Sequence, residues 1–183
     1  MRYGYLLLVF SLVAGALLST TLNGLSKEFL TDEEIKRIQE AQEIDKRVKI
    51  YMEAAELRLQ TAEERLSGKE SVEGDSLEFF APEDMLDGYY RILHSVMLNL
   101  DDAFRTPGTD LNEVEGGLKA LKKGTDNAGK QLEILKRIAE EKRKEKLWDL
   151  VNRAIDITKG AHEGAVSGLE KISKIHERNR ERR

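Results

Sequence analysis

Between Thr31 and Leu66 apolar residues return every three or four positions: Ile35, Ile38, Ala41, Ile44, Val48, Met52, Ala55, Leu59, Ala62 and Leu66. A half-buried strand would alternate every second residue, whereas this spacing places all ten side chains on one face of an α-helix. Unbroken, the stripe predicts a helix about nine turns long. It begins at Thr-Asp-Glu-Glu, where the Thr31 hydroxyl can accept from the first turn while Glu34 reaches back, a capping box. Ser67-Gly68 ends it.

Three more stripes follow. Pro82 suits the first position of a helix, with Glu83 and Asp84 in the first turn. Leu86, Tyr90, Leu93, Met97, Leu100 and Phe104 then line one face, up to the turn signal Arg105-Thr106-Pro107-Gly108. From about Asp110 the third stripe is Leu111, Val114, Leu118, Leu121, Ala128, Leu132, Leu135 and Ile138. The fourth carries Leu147, Trp148, Val151, Ile155, Thr158, Ala161, Ala165, Leu169, Ile172 and Ile175. Between these two, EEKRKEK (140–146) puts Lys142 and Lys146 where core positions would fall, with neither Gly nor Pro to mark a turn. A single helix from 110 to 176 would be roughly 100 Å long, so a hairpin reversal is predicted within 140–146, with a continuous helix as the alternative.

Four amphipathic helices bury their stripes around a common axis. The expected fold is therefore all-α, a four-helix bundle over residues 25–176 with shallow, coiled-coil-like crossings. The charged tail 177–183 has no apolar residue and is expected to fray. Lys69 to Glu78, acidic and rich in Gly and Ser, reads as a loop; Phe79 and Phe80 after it are expected to plug one end of the core.

Ahead of the bundle, Arg2 precedes an apolar run from Tyr5 to Leu18, broken only by Ser11. That is about 14 residues, short of the ~20 that span a bilayer core. The length and the A-x-A at Ala14 and Ala16 predict a signal peptide within residues 1–24, removed on export. An uncleaved anchor is the alternative, because Leu17, Leu18 and Leu22 would lengthen the span. The chain has no cysteine, which excludes disulfides, thiolate metal sites and a lipid-bearing cysteine. The expected location is periplasmic or extracellular in a bacterium.

Chemistry-bearing motifs are sparse. A di-iron bundle needs Glu-x-x-His on two helices, but the residues three before His94, His162 and His176 are Arg91, Lys159 and Ser173. His162-Glu163 is followed by Gly-Ala-Val, so it is no H-E-x-x-H site. Asp101 and Asp102 are adjacent and point about 100° apart on a helix, so they form no acid–base pair. No metal or other cofactor is expected. With a net charge of only -4 and basic runs mixed with glutamate, nucleic acid is not an expected partner. Membrane contact is expected only through an uncleaved N-terminal segment.

One pattern calls for a reason. Gly160, Gly164 and Gly168 recur every fourth residue, and each glycine costs a helix ~1 kcal/mol against alanine. The expectation is a close-packing ridge between the last two helices, with Gly116, Gly117, Gly124 and Gly129 offering the facing surface; a docking groove is the alternative.

LTDEEIKRIQEAQEIDKRVKIYMEAAELRLQ, with its capping box and positions such as Tyr51 and Arg58, resembles the opening of a group of exported, uncharacterised helical proteins of environmental bacteria. The resemblance covers about a sixth of the chain. It implies an extracytoplasmic helical domain and brings no activity or site residue. Three functions follow from the residues. The first is a non-enzymatic envelope module that binds another protein or itself. The second is a sensor-like or chaperone-like bundle holding a small ligand or metal, for which Tyr89, Tyr90, His94 and Asp101 would line a polar cavity. The third is a hydrolase built on scattered carboxylates.

Overall fold

The computed structural model describes residues 29–182; the predicted export segment, residues 1–24, lies outside them. The described chain is an all-α bundle of five helices, not four: α1 Asp32–Glu40, α2 Ile44–Leu66, α3 Pro82–Arg105, α4 Leu111–Glu141 and α5 Glu145–Glu181.

The extra helix comes from a break in the first stripe. α1 ends at Ala41 and α2 starts after Glu43, both in extended conformation. The spacing Ile38, Ala41, Ile44 runs smoothly across the break, so the pattern gives no sign of it. Tertiary contacts account for it. Glu43 makes no side-chain cap; the N–H of Ile44 instead donates to Glu113 Oε2 of α4 at 3.2 Å. That bond satisfies one of the orphan donors of a helix start. α1 then folds back antiparallel to α2, pairing Glu34 with Arg58 and Arg37 with Glu53.

The four long helices form a ring. α2 and α4 run parallel, since Asp45 lies by Gly116, Met52 by Gly124 and Glu63 by Gln131. α4 and α5 are antiparallel, pairing Leu118 with Gly168 and Thr125 with His162. α5 lies parallel to α3, with Arg153 over the Tyr90 ring at 4.6 Å and the Tyr89 hydroxyl 2.7 Å from that of Thr158. α2 and α3 close the ring, so α3 and α4, though consecutive, meet across its diagonal at Leu100 and Gly117. One continuous apolar core fills the centre, from Ile44 and Val48 to Leu147 and Ile172.

The reversal falls at Lys142–Lys144, inside the predicted window. It is a Schellman close: Lys144 N–H donates to Ala139 O at 3.3 Å and Arg143 N–H to Glu140 O at 3.1 Å. α2 ends the same way, with Lys69 N–H to Glu64 O and Gly68 N–H to Arg65 O. Gly68 fills the left-handed position there, whereas Arg143 fills it here, at φ 50°. Past Ile175 the helix continues through the charged tail, with α5 running to Glu181. Arg and Glu are good helix formers, and arginines complement the C-terminal dipole.

At the end shared by the α2–α3 and α4–α5 connections, Leu77 is the plug, buried to 1% exposure. Phe80 packs partly against the core, but Phe79 points outward, so the expected aromatic plug is only half formed.

Two stability predictions follow from these junctions. Arg143→Gly removes a Cβ from a left-handed position that costs roughly 1–2 kcal/mol, offset by the entropy glycine adds to the unfolded chain. A rise of about 0.5–1 kcal/mol in urea melts is expected. Glu34→Ala leaves the Arg58 charge buried without its partner and is expected to cost about 3–5 kcal/mol. The double variant Glu34→Leu/Arg58→Met should recover most of that loss, because a buried ion pair is often replaceable by apolar groups.

Candidate functional site

The interior holds two polar assemblies. Arg58 is 1% exposed. Its guanidinium grips Glu34 in bidentate fashion, Nη1 to Oε1 at 3.0 Å and Nη2 to Oε2 at 2.6 Å, and Nη2 also donates to the Phe29 carbonyl at 3.0 Å. Glu34 Oε2 accepts from Thr31 N–H at 2.7 Å while Thr31 Oγ1 accepts from Glu34 N–H at 3.2 Å. The capping box and the ion pair thus share one carboxylate. The second assembly is Tyr89 with Thr158, whose hydroxyl also donates to Ala154 O at 2.6 Å. Burial pushes the Tyr89 phenol well above its ordinary range, a shift the Thr158 hydrogen bond only partly opposes. Both assemblies are closed on themselves and hold helices together.

The four residues that would have lined a polar cavity do not converge. Tyr89 is in the core, while Tyr90 stacks on exposed His94 with ring centroids 6.4 Å apart. Asp101 pairs with Arg105 one turn along α3 at 2.9 Å. His162 sits beside Asp126 at 3.3 Å and Thr125 at 3.2 Å on the α4–α5 seam. The Lys122 ammonium, hydrogen-bonded to Asp126, holds that carboxyl below its usual range, and His162 adds to the effect. Among the described residues no group of three or more His, Asp or Glu is placed to hold a metal ion. Asp45 Oδ1 and Arg47 Nε are buried without a hydrogen-bond partner near the start of α2.

The glycines divide by position. A Cβ on Gly168 would lie 2.8 Å from Leu118 Cδ1, so this one residue meets α4 closely. Gly160 and Gly164 have nothing within 4 Å of a Cβ, and tight packing does not account for them. The close approach is elsewhere: Gly116, Gly117 and Gly124 lie against Asp45, Val48 and Met52 of α2, not against α5 as the spacing suggested. Gly129 meets nothing.

Three surface features remain. A groove of about 280 Å³ opens on the α3–α5 side, where Met97, Leu100, Phe104 and Leu118 face the bare stretch at Gly164. A larger groove, about 910 Å³, follows the α2–α4 seam, with Ala120, Gly124 and Ala128 on its floor and Lys119, Lys123 and Lys130 along one flank. At the loop end, Phe79 (81%), Val72 (66%) and Trp148 (42%) are exposed. The loop that presents two of them is internally bonded: Ser71 Oγ to Glu78 O, Gly74 N–H to Glu78 Oε2, and Leu77 N–H to Asp75 Oδ1.

No protein-family model, curated protein or solved structure matches the chain. What the surface does is therefore argued from its geometry.

The glycine positions separate in a melt. Gly160→Ala and Gly164→Ala place a methyl in open space and should each stabilise by up to ~1 kcal/mol through helix propensity. Gly168→Ala should show no such gain, because Leu118 must shift to admit the methyl. Equal midpoint shifts for all three in urea would contradict this assignment.

Proposed function

We propose that this chain is an exported, non-enzymatic helical module of the envelope, acting through contact between its bundle surface and another protein. The observation that carries the proposal is the contrast at Gly164. The large buried polar side chains, Arg58 and Tyr89, are committed to holding helices together. The α3–α5 groove, by contrast, mostly apolar with Asp101, Ser167 and Lys171 among its lining, is left open by a glycine whose absent side chain no neighbour replaces. The occupant that fits is one amphipathic helix. A seam between two parallel helices, with open space over Gly164 and the small side chains of Ala161 and Ala165 beside it, accepts a ridge of side chains at i and i+4. Export rests on the apolar run Tyr5–Leu18 and the A-x-A that follows its start.

One observation favours a second reading, a bundle that holds a small ligand. The α2–α4 groove has the volume of a ligand pocket, with Lys119, Lys123 and Lys130 on one flank, Glu53 and Glu56 on the other and an apolar floor between them.

The absence of native cysteine allows a direct test. Ser167→Cys, on the rim of the groove, and Leu57→Cys, on the outer face of α2, each carry a single thiol for a photo-crosslinker. A protein captured in the envelope from position 167 and not from 57 is the expected result. Gly164→Arg, which fills the groove, should abolish capture in a competition format while leaving the far-UV circular dichroism unchanged. Capture from both positions alike would end the docking proposal, and a crosslinked pair of this chain would replace it with self-association.

A further inference from the structure

The α2–α4 groove is long, apolar along its floor and bordered by charges of opposite sign. Its α4 side runs from Gly116 to Ile134, about 27 Å of helix. A small molecule would cover part of that length, whereas five turns of a third helix would fill it. Met52, Ala55 and Leu59 of α2 and Ala128 of α4 supply buried apolar floor. An apolar channel of this length between two helices is the form of site that takes the apolar face of an amphipathic helix.

Some of the bordering charges are already satisfied within the bundle. Lys49 is held by Asp45 at 2.6 Å, Glu53 by Arg37 at 2.7 Å and Lys119 by Glu115 at 2.6 Å. Three others remain. Glu56 on the α2 rim and Lys123 and Lys130 on the α4 rim are exposed and form no ion pair among the described residues. Lys123 and Lys130 stand two turns apart, about 10 Å. Met52 lies by Gly124. Glu56, one turn past Met52, therefore comes level with the turn after Gly124, between the two lysines but on the opposite rim.

We propose that this groove receives one helix of a partner protein, about five turns long, apolar beneath, acidic on the edge over α4 and basic on the edge over α2. Acids seven residues apart on one edge would meet Lys123 and Lys130, and a base between them on the other edge would meet Glu56. Where helices lie side by side, charged edges of this kind set the choice and orientation of the partner. Turned end for end, the helix would bring its acids to Glu56 and its bases to the lysines, so one direction is selected. A second copy of this chain laid with the same face inward would set groove over groove and leave both unfilled. The inference does not rest on the α3–α5 groove and gives the α2–α4 groove an occupant other than a small ligand.

Three synthetic helices of about 18 residues, enough for five turns, test it by fluorescence anisotropy against the purified full chain. All share an apolar face of Leu and Ala. The first carries Glu on one edge and Lys on the other, the second Glu on both, the third Lys on both. The first is expected to bind about tenfold more tightly than either of the others. Lys123→Glu/Lys130→Glu makes both rims acidic. It should weaken the first peptide by about tenfold and make the third the tightest, with far-UV circular dichroism unchanged. Lys159→Glu/Lys174→Glu, the same change of charge at exposed positions of α5, should leave the order of affinities as it was. So should Gly164→Arg, which fills the other groove. With a donor dye on Lys49→Cys at one end of the groove, acceptors on the first peptide's two termini should give unequal energy transfer. Equal transfer would overturn the single direction. Equal binding of all three peptides would overturn the proposal, as would no binding to a chain of intact circular dichroism. A chain that is dimeric by light scattering and becomes monomeric with Lys123→Glu/Lys130→Glu would replace the partner helix with a second copy.

Discussion

A guanidinium taken almost wholly out of water must have a carboxylate, and Arg58 dictates much of the N-terminal architecture. Its fork fits one carboxylate bidentately with a donor to spare. Glu34 supplies the carboxylate and the Phe29 carbonyl takes the spare bond. Glu34 can reach Arg58 only if its helix turns back along α2. The break at 41–43, the antiparallel α1 and the position of Phe29 beside α3 follow together. The capping box is not an independent ornament here: the glutamate that closes it is the one that neutralises the core arginine.

Elsewhere the bundle is held by apolar packing around two antiparallel hairpins, α2–α3 and α4–α5, joined across the diagonal. That arrangement sets two parallel helices side by side on each of two faces, and both grooves lie along those parallel seams. Small residues on α4 let Met52 and Val48 of α2 come close. On the α3–α5 side the bare positions are not filled from the neighbouring helix. The same residue type thus closes one seam and leaves the other open, according to what stands opposite.

Much of the helical content was legible from spacing. The capping box at Thr31 and the start of α3 at Pro82 were marked by residues acting on their own or adjacent turns; the reversal within 140–146 had no such mark and followed from charges at core positions and from the length an unbroken helix would have. Phe79 and Phe80 show where legibility stops: two adjacent identical side chains, one turned in and one out, with buried Leu77 as the plug. The glycine ridge shows it again, because spacing puts Gly160, Gly164 and Gly168 in a row but says nothing of whether Leu118 or open space faces each. The clamp had a partial signal, an arginine at 58 interrupting a face of helix α2 and a glutamate already known to cap. What joined them was a fold-back with no local mark.

The sequence by itself determined the amphipathic stripes and several helix ends, because propensity, periodicity and capping act within a few residues, where backbone and side chain are already neighbours. It determined, too, that the chain begins with an apolar run unlike the rest. Tertiary structure alone decided that there are five helices among the described residues, because the donor left free at Ile44 is satisfied by Glu113, 69 positions away. It alone decided which glycines are contacts, and that exposed Val72, Phe79 and Trp148 share an end. Those outcomes depend on which helix faces which, and the energies that select among such pairings exist only once distant stripes are packed together.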